Sequence, residues 1–149
     1  MHVYITMSDT THYKISYDSY SGCTTIANKS KVAKCHSIVE CIGTFEELIA
    51  ELELINAYIH NDTIDKIIVE LHKLLSNPIK TIVIPEIIKK PDHVNALEPI
   101  TKAYVNRCVA VCRRTERRLA ELKVYHYDVS ESALIFMDIL SKYLHDLIV

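Results

Sequence analysis

Between Val111 and Arg118 the chain reads VCRRTERR, five charged residues in six positions, four of them arginines. A guanidinium presents its donors as a rigid fork that matches phosphate or carboxylate oxygens in pairs, so such a stretch can hold an oxyanion. At helical spacing Val109, Arg113, Glu116 and Arg117 lie along one side, whereas Arg107, Arg114 and Arg118 occupy another. Glu116 follows Arg113 by three residues and can hold that guanidinium in one orientation. The same spacings also make ordinary surface ion pairs, each worth a few tenths of a kcal/mol, so spacing alone leaves both readings open. His12, His60 and His145 fall in loops or near helix ends, where histidine is usually structural or solvated, and none is read as a metal ligand.

The rest of the chain must position that helix. Its 149 residues make one domain, and an apolar fraction of 49% is ample for a core. A formal charge of −2 gives no global basic field to gather nucleic acid, so an anion site must be local. Two glycines and no tryptophan argue against a glycine-lined nucleotide loop and for long uninterrupted helices. The five cysteines form no CxxC pair, and with no signal-peptide pattern they imply a reduced, cytoplasmic protein. No apolar run approaches the length of a membrane span.

Residues 1–42 are rich in Ser, Thr, Tyr and Lys and read as an extended N-terminal arm, with pieces such as Val3–Ile5 as short strands. Thr44 and Glu47 have the spacing of a capping box, and Phe45, Leu48, Leu52, Ile55 and Ile59 repeat at three and four. A second helix opens at Asp62, with Asp65 at the reciprocal position, and runs to Pro78. Residues 78–92 hold three prolines and read as a crossover or an extended piece. A third helix spans about Asp92 to Leu122, with Pro99 at a first turn or a kink. A fourth starts near Ser130, whose hydroxyl can cap it. The expected fold is all-α, an up-and-down, ferritin-like bundle of four to five helices over 43–149, in a single domain with the arm.

Beyond spacing, VCRRTERR resembles the Val-Cys-Arg-Arg-Ala-Glu-Arg-Arg motif of the PduO-type corrinoid adenosyltransferases. CIGTFEEL, Cys41 to Leu48, is similar to that family's Gly-Thr-Val-Asp-Glu-Leu at its first helix. FMDILSKYLHDL, Phe136 to Leu147, resembles its Leu-Asn-Arg-Leu-Ser-Asp-Tyr-Leu-Phe, and VYITMSDTTHY, Val3 to Tyr13, sits where the family has its nucleotide loop. The four fall in the family's order. The resemblance implies a homotrimer in which ATP lies between subunits, held by the N-terminal loop of one and the arginine helix of the next. Reduced cob(I)alamin or another corrinoid would take the adenosyl group from ATP, with Mg²⁺ on the phosphates. By the same resemblance Arg113 is a triphosphate ligand and Glu116 its orienting partner. Ser8, Asp9, Thr10, Thr11 and Lys34 belong to the phosphate and Mg²⁺ side, and Gly43 and Glu46 to the base of the first helix. Arg117 and Asp138 complete the nucleotide-binding set. A corrinoid reductase or a B12-dependent enzyme is the further partner implied; nucleic acid and membrane are not.

The departures from the family pattern bear on activity. Ser8 and Thr11 stand where its loop has glycines. Val109 replaces a second arginine one turn before Arg113, and Asp138 replaces an asparagine. Ile139 and Lys142 replace an arginine and an aspartate, and His145 a phenylalanine. The chain is also shorter than the family's usual length: either a helix is lost before TIVIPE, Thr81 to Glu86, or NALEPITKAY, Asn95 to Tyr104, is an old third helix run into VNRCVAVCRR. Two function classes follow: an ATP:cob(I)alamin adenosyltransferase, or a non-catalytic relative that binds corrinoid or nucleotide or serves assembly.

Overall fold

The computed structural model of the protein describes residues 2–7, 11–16, 22–25, 31–76, 96–125 and 129–149. Four helices carry the fold: α1 (Ser37–Ile59), α2 (Asp62–Ser76), α3 (Pro99–Val124) and α4 (Glu131–Asp146). They form an all-α four-helix bundle, as the apolar repeats predict. Its core joins Phe45, Leu48, Leu52 and Ile55 of α1 to Ile64, Ile67, Leu71 and Leu74 of α2. Val105, Cys108, Cys112 and Leu119 of α3 meet Phe136, Met137, Leu140 and Leu144 of α4 in the same core. Such burial, at about 25 cal/mol per Å² of apolar surface, is what holds helices of this length in place.

Helix directions follow from the contacts. Glu40, Glu47 and Glu51 of α1 pair with Arg118, Arg114 and Arg107 of α3, so these two helices are antiparallel. The tight α1–α2 turn makes α2 antiparallel to α1 as well, so α2 and α3 run the same way, the ferritin-like arrangement with one long connection. That connection, 77–95, includes the segment read as a crossover and lies outside the described residues.

Two helix starts differ from the sequence reading, α1 earlier than Thr44 and α3 at Pro99 rather than about Asp92, whereas α2 and α4 start as read and differ in their caps. α1 begins at Ser37, well before Thr44, because the His36 Nδ1 accepts from the Ile38 N–H at 3.1 Å and caps it. Thr44 is buried in mid-helix, and its hydroxyl donates to the Cys41 carbonyl at 2.9 Å rather than capping anything. Asn61, not Asp62, caps α2, accepting from the Thr63 N–H at 2.8 Å. The same turn uses a left-handed His60, φ 50°, and Asn56, whose amide oxygen takes the Asn61 N–H and whose nitrogen donates to Asp65. Ser130 stands at the start of α4, but its hydroxyl meets that of Ser132 and bonds no backbone amide. Pro99 is in the first turn of α3, which then runs unbroken, so residues 99–104 are continuous with the arginine helix.

The arm holds two antiparallel hairpins, more strand than the sequence suggests. β1 (His2–Met7) pairs with β2 (Thr11–Ser16), and β3 (Cys23–Thr25) with β4 (Lys31–Ala33). Gly22 has φ 75°, open to glycine at no steric cost, and its carbonyl accepts the Lys34 N–H at 2.6 Å. This bond ties the start of β3 to the turn that leads into α1.

Candidate functional site

The 3.6-residue period of α3 divides its charges between two faces. On the side toward α1, Arg107 reaches Glu51 at 2.9 Å, Arg114 pairs with Glu47, and Arg118 meets Glu121 at 3.1 Å and Glu40 at 3.7 Å. Arg107 also lies over the Tyr104 ring, which stacks on Tyr58. These three arginines are committed to a ladder between helices. Such exposed pairs contribute well under about 1 kcal/mol each and line the α1–α3 seam that the apolar core holds together.

The other face meets α4. Arg113, Glu116, Arg117 and Ala120 of α3, with Asp138, Ser141 and Lys142 of α4, line a groove of about 390 Å³. The Arg113 Nε points at the Ser141 Oγ, 3.4 Å away, and Ser141 is itself buried. Arg113 is thus held by α4, and among the described residues Glu116 makes no ion pair with it. The Lys142 Nζ donates to the Asp138 Oδ2 at 2.6 Å, and that bond pushes the ammonium pKa up. Three cations face two carboxylates, so the groove can take an anion, and forked donors suit phosphate oxygens. A groove of about 450 Å³ at the α1–α2 turn holds Glu53, Asp62 and Asp65 with no lysine or arginine, the wrong sign for a phosphate.

Of the residues singled out in the sequence, Arg113, Glu116, Arg117 and Asp138 are therefore gathered in one place. Thr11 opens β2 opposite Met7, while Ser8, Asp9 and Thr10 lie outside the described residues. Lys34 is exposed between β4 and α1, and Gly43 and Glu46 sit on the outer face of α1. No described contact joins these last three to the groove. Ser141 and Lys142 were missed as site residues, although they follow Asp138 by three and four and must share its face. Val109 does not line the groove. It is 4% exposed and packed in the core, so an arginine there could not simply extend the row.

Burial raises the pKa of the core thiols, to about 12 for Cys41 and Cys112 and higher still for Cys108. None is a thiolate nucleophile near neutral pH. Among the described residues no group of three or more His, Cys, Asp or Glu could hold a metal ion. The site's own chemistry is charge and hydrogen bonding, suited to an oxyanion whose nucleophile comes from elsewhere.

A family model described as cobalamin adenosyltransferase matches residues 19–107, more than half of the chain, and ends before the Val111–Arg118 stretch. No curated protein matches the chain.

Proposed function

Because the chain belongs to the cobalamin adenosyltransferase family, we propose that it moves the 5′-deoxyadenosyl group of ATP onto a cob(I)alamin-type corrinoid, with the α3–α4 groove receiving the triphosphate. The cobalt(I) electron pair forms a bond to the ribose 5′ carbon. The bond from that carbon to oxygen breaks, and its electrons leave with the triphosphate. The substrate brings the nucleophile, so the protein's part is alignment and stabilisation of the departing charge. The observation that carries the reading is the groove itself, where Arg113 and Arg117 stand free of the α1 ladder and Arg113 is held by Ser141. Glu116 stands one turn from Arg113 and can brace it once phosphate is present.

The N-terminal half of the site, Ser8 to Thr11 with Lys34, Gly43 and Glu46, comes in this proposal from a neighbouring copy in a homotrimer. Gly43 supports it: among the described residues nothing beyond its own helix backbone and chain neighbours lies within 4 Å of a β-carbon built there, yet a mid-helix glycine costs about 1 kcal/mol against alanine. In this reading the neighbouring copy uses that space. The exposed outer faces fit as well, since Gly43, Glu46, Ala50, Glu53 and Ala57 on α1 are small and acidic. Ala103, Asn106, Ala110, Arg113 and Arg117 on α3 are small, polar and basic. Tyr143 is part of the core and not of such an interface, its hydroxyl turned to Thr63 and Asn61. Mg²⁺ enters as MgATP on the side of the Ser8–Thr11 segment, of which Ser8, Asp9 and Thr10 lie outside the described residues. No helix of the described residues is long and apolar enough to cross a membrane. A cytoplasmic location, one domain over 1–149, and a corrinoid reductase or B12-dependent enzyme as partner complete the proposal.

Burial of Val109 favours one second reading, a member that binds nucleotide without transferring it, since the groove lacks an arginine one turn before Arg113. An anaerobic assay with reduced corrinoid and MgATP decides. Adenosylcorrinoid and triphosphate formed in equal amounts support transfer. Calorimetric MgATP binding with no product supports the second reading, and no binding defeats both.

A further inference from the structure

Lys142 takes no part in the resemblance, which has an acid in its place, and it changes the sign of the groove. Without it, Arg113 and Arg117 would face Glu116 and Asp138 in equal numbers. The two lysines of α3, Lys102 and Lys123, do not line the groove. Arg107, Arg114 and Arg118 are paired on the opposite face, and the position one turn before Arg113 is a buried valine. Lys142 lies beside Ser141, the residue that holds Arg113, on the next helix. Its side chain is 71% exposed and its only described ion pair is with Asp138.

Resting on the triphosphate reading of the groove, we infer that Lys142 is an anion-binding residue, with Asp138 its internal competitor: an arriving phosphate oxygen takes the ammonium from the carboxylate. The flexible four-carbon stem allows the exchange without moving backbone, and an ammonium this exposed gives up little solvation in either position. The ion pair keeps Lys142 protonated, in agreement with its raised pKa. Affinity is then set by the difference between two partners of one cation, and the two arginines provide the fixed part of the site. This makes the Asp138 and Lys142 departures a linked pair: the acid alone would repel phosphate, and the lysine turns it into a modulator.

The test is calorimetric titration of the full-length protein and of Lys142→Gln, Asp138→Asn and the double variant with inorganic triphosphate, then with MgATP. Lys142→Gln should weaken triphosphate binding by about fivefold, the upper range for an exposed charge, and flatten its salt dependence. Asp138→Asn should tighten binding by a similar factor, and that gain should shrink in the double variant to what relief of the carboxylate's own repulsion gives. Unchanged binding in Lys142→Gln overturns the inference, as does an Asp138→Asn gain that is undiminished in the double variant, because the carboxylate would then act independently of the lysine. If MgATP binds through Arg113 but without dependence on Lys142, the inference falls and the proposed function stands. If triphosphate binds with the expected dependence but MgATP does not, the reverse holds. If neither anion binds the wild type, both fall.

Discussion

Val109 is 4% exposed in a core that also contains Val105, Cys108, Cys112 and Leu144, yet it lies one turn from the exposed Arg113. Replacing it with arginine tests whether this side of α3 is a decayed phosphate row or a packed seam. Loss of a buried valine removes about 1.5 kcal/mol or somewhat more of burial. An unpaired guanidinium in the core costs several kcal/mol more, although its stem can reach part of the way to the groove. The structure therefore predicts destabilisation by about 3–5 kcal/mol. At about 2–4 °C per kcal/mol for a chain of this size, the melting temperature should fall by roughly 6–20 °C. Val109→Ala is the comparator, at about 1–2.5 kcal/mol, since it leaves a cavity but buries no charge. Thermal and urea melts on both variants, with MgATP titrations in parallel, give the answer. A Val109→Arg protein that melts with the wild type and binds MgATP more tightly would refute the packing argument and favour the decayed row.

Arg113→Ala should weaken MgATP binding by about 2 kcal/mol or more, roughly thirtyfold, whereas Arg118→Ala should stay within about threefold because its partners are Glu121 and Glu40. Equal small effects in calorimetry would make both arginines a solvated face. Gly43→Ala should raise stability by up to about 1 kcal/mol, because the added methyl meets nothing among the described residues beyond its own helix. The same variant should bind MgATP less well, and a gain in stability with unchanged binding would remove Gly43 from the site. The thiols give a pH dependence. Unfolded cysteines ionise near 9 and the buried ones at about 12 or above, so the unfolded state loses protons first as pH rises. Their contribution to stability is complete below pH 9 and falls above it. In alkylation at pH 8 the exposed Cys35 should react in the native state, and Cys41, Cys108 and Cys112 only on unfolding; rapid native labelling of all of them would contradict the core assignment.

Helix identity was legible in the sequence because a 3.6-residue repeat is a local property. Leu48, Leu52 and Ile55, or Met137, Leu140 and Leu144, could bury together only on one face of a helix. The same local geometry separated Arg113 and Arg117 from Arg107, Arg114 and Arg118, and the structure keeps that division. Caps were less legible, since several nearby polar residues compete for each helix end. His36 and Asn61 cap α1 and α2 in place of Thr44 and Asp62, and Thr44 is instead buried where Thr115 donates to its carbonyl at 3.1 Å. What no local pattern could decide was which helix lies against which. That choice gave Arg113 a serine 28 residues away in place of Glu116, and gave Arg114 a partner on α1. It also sealed Val109 into the core while Arg113, one turn further along, stayed exposed. Spacing along one helix sets which side chains share a face; whether that face meets water, a charge or another helix depends on contacts formed only when the bundle closes.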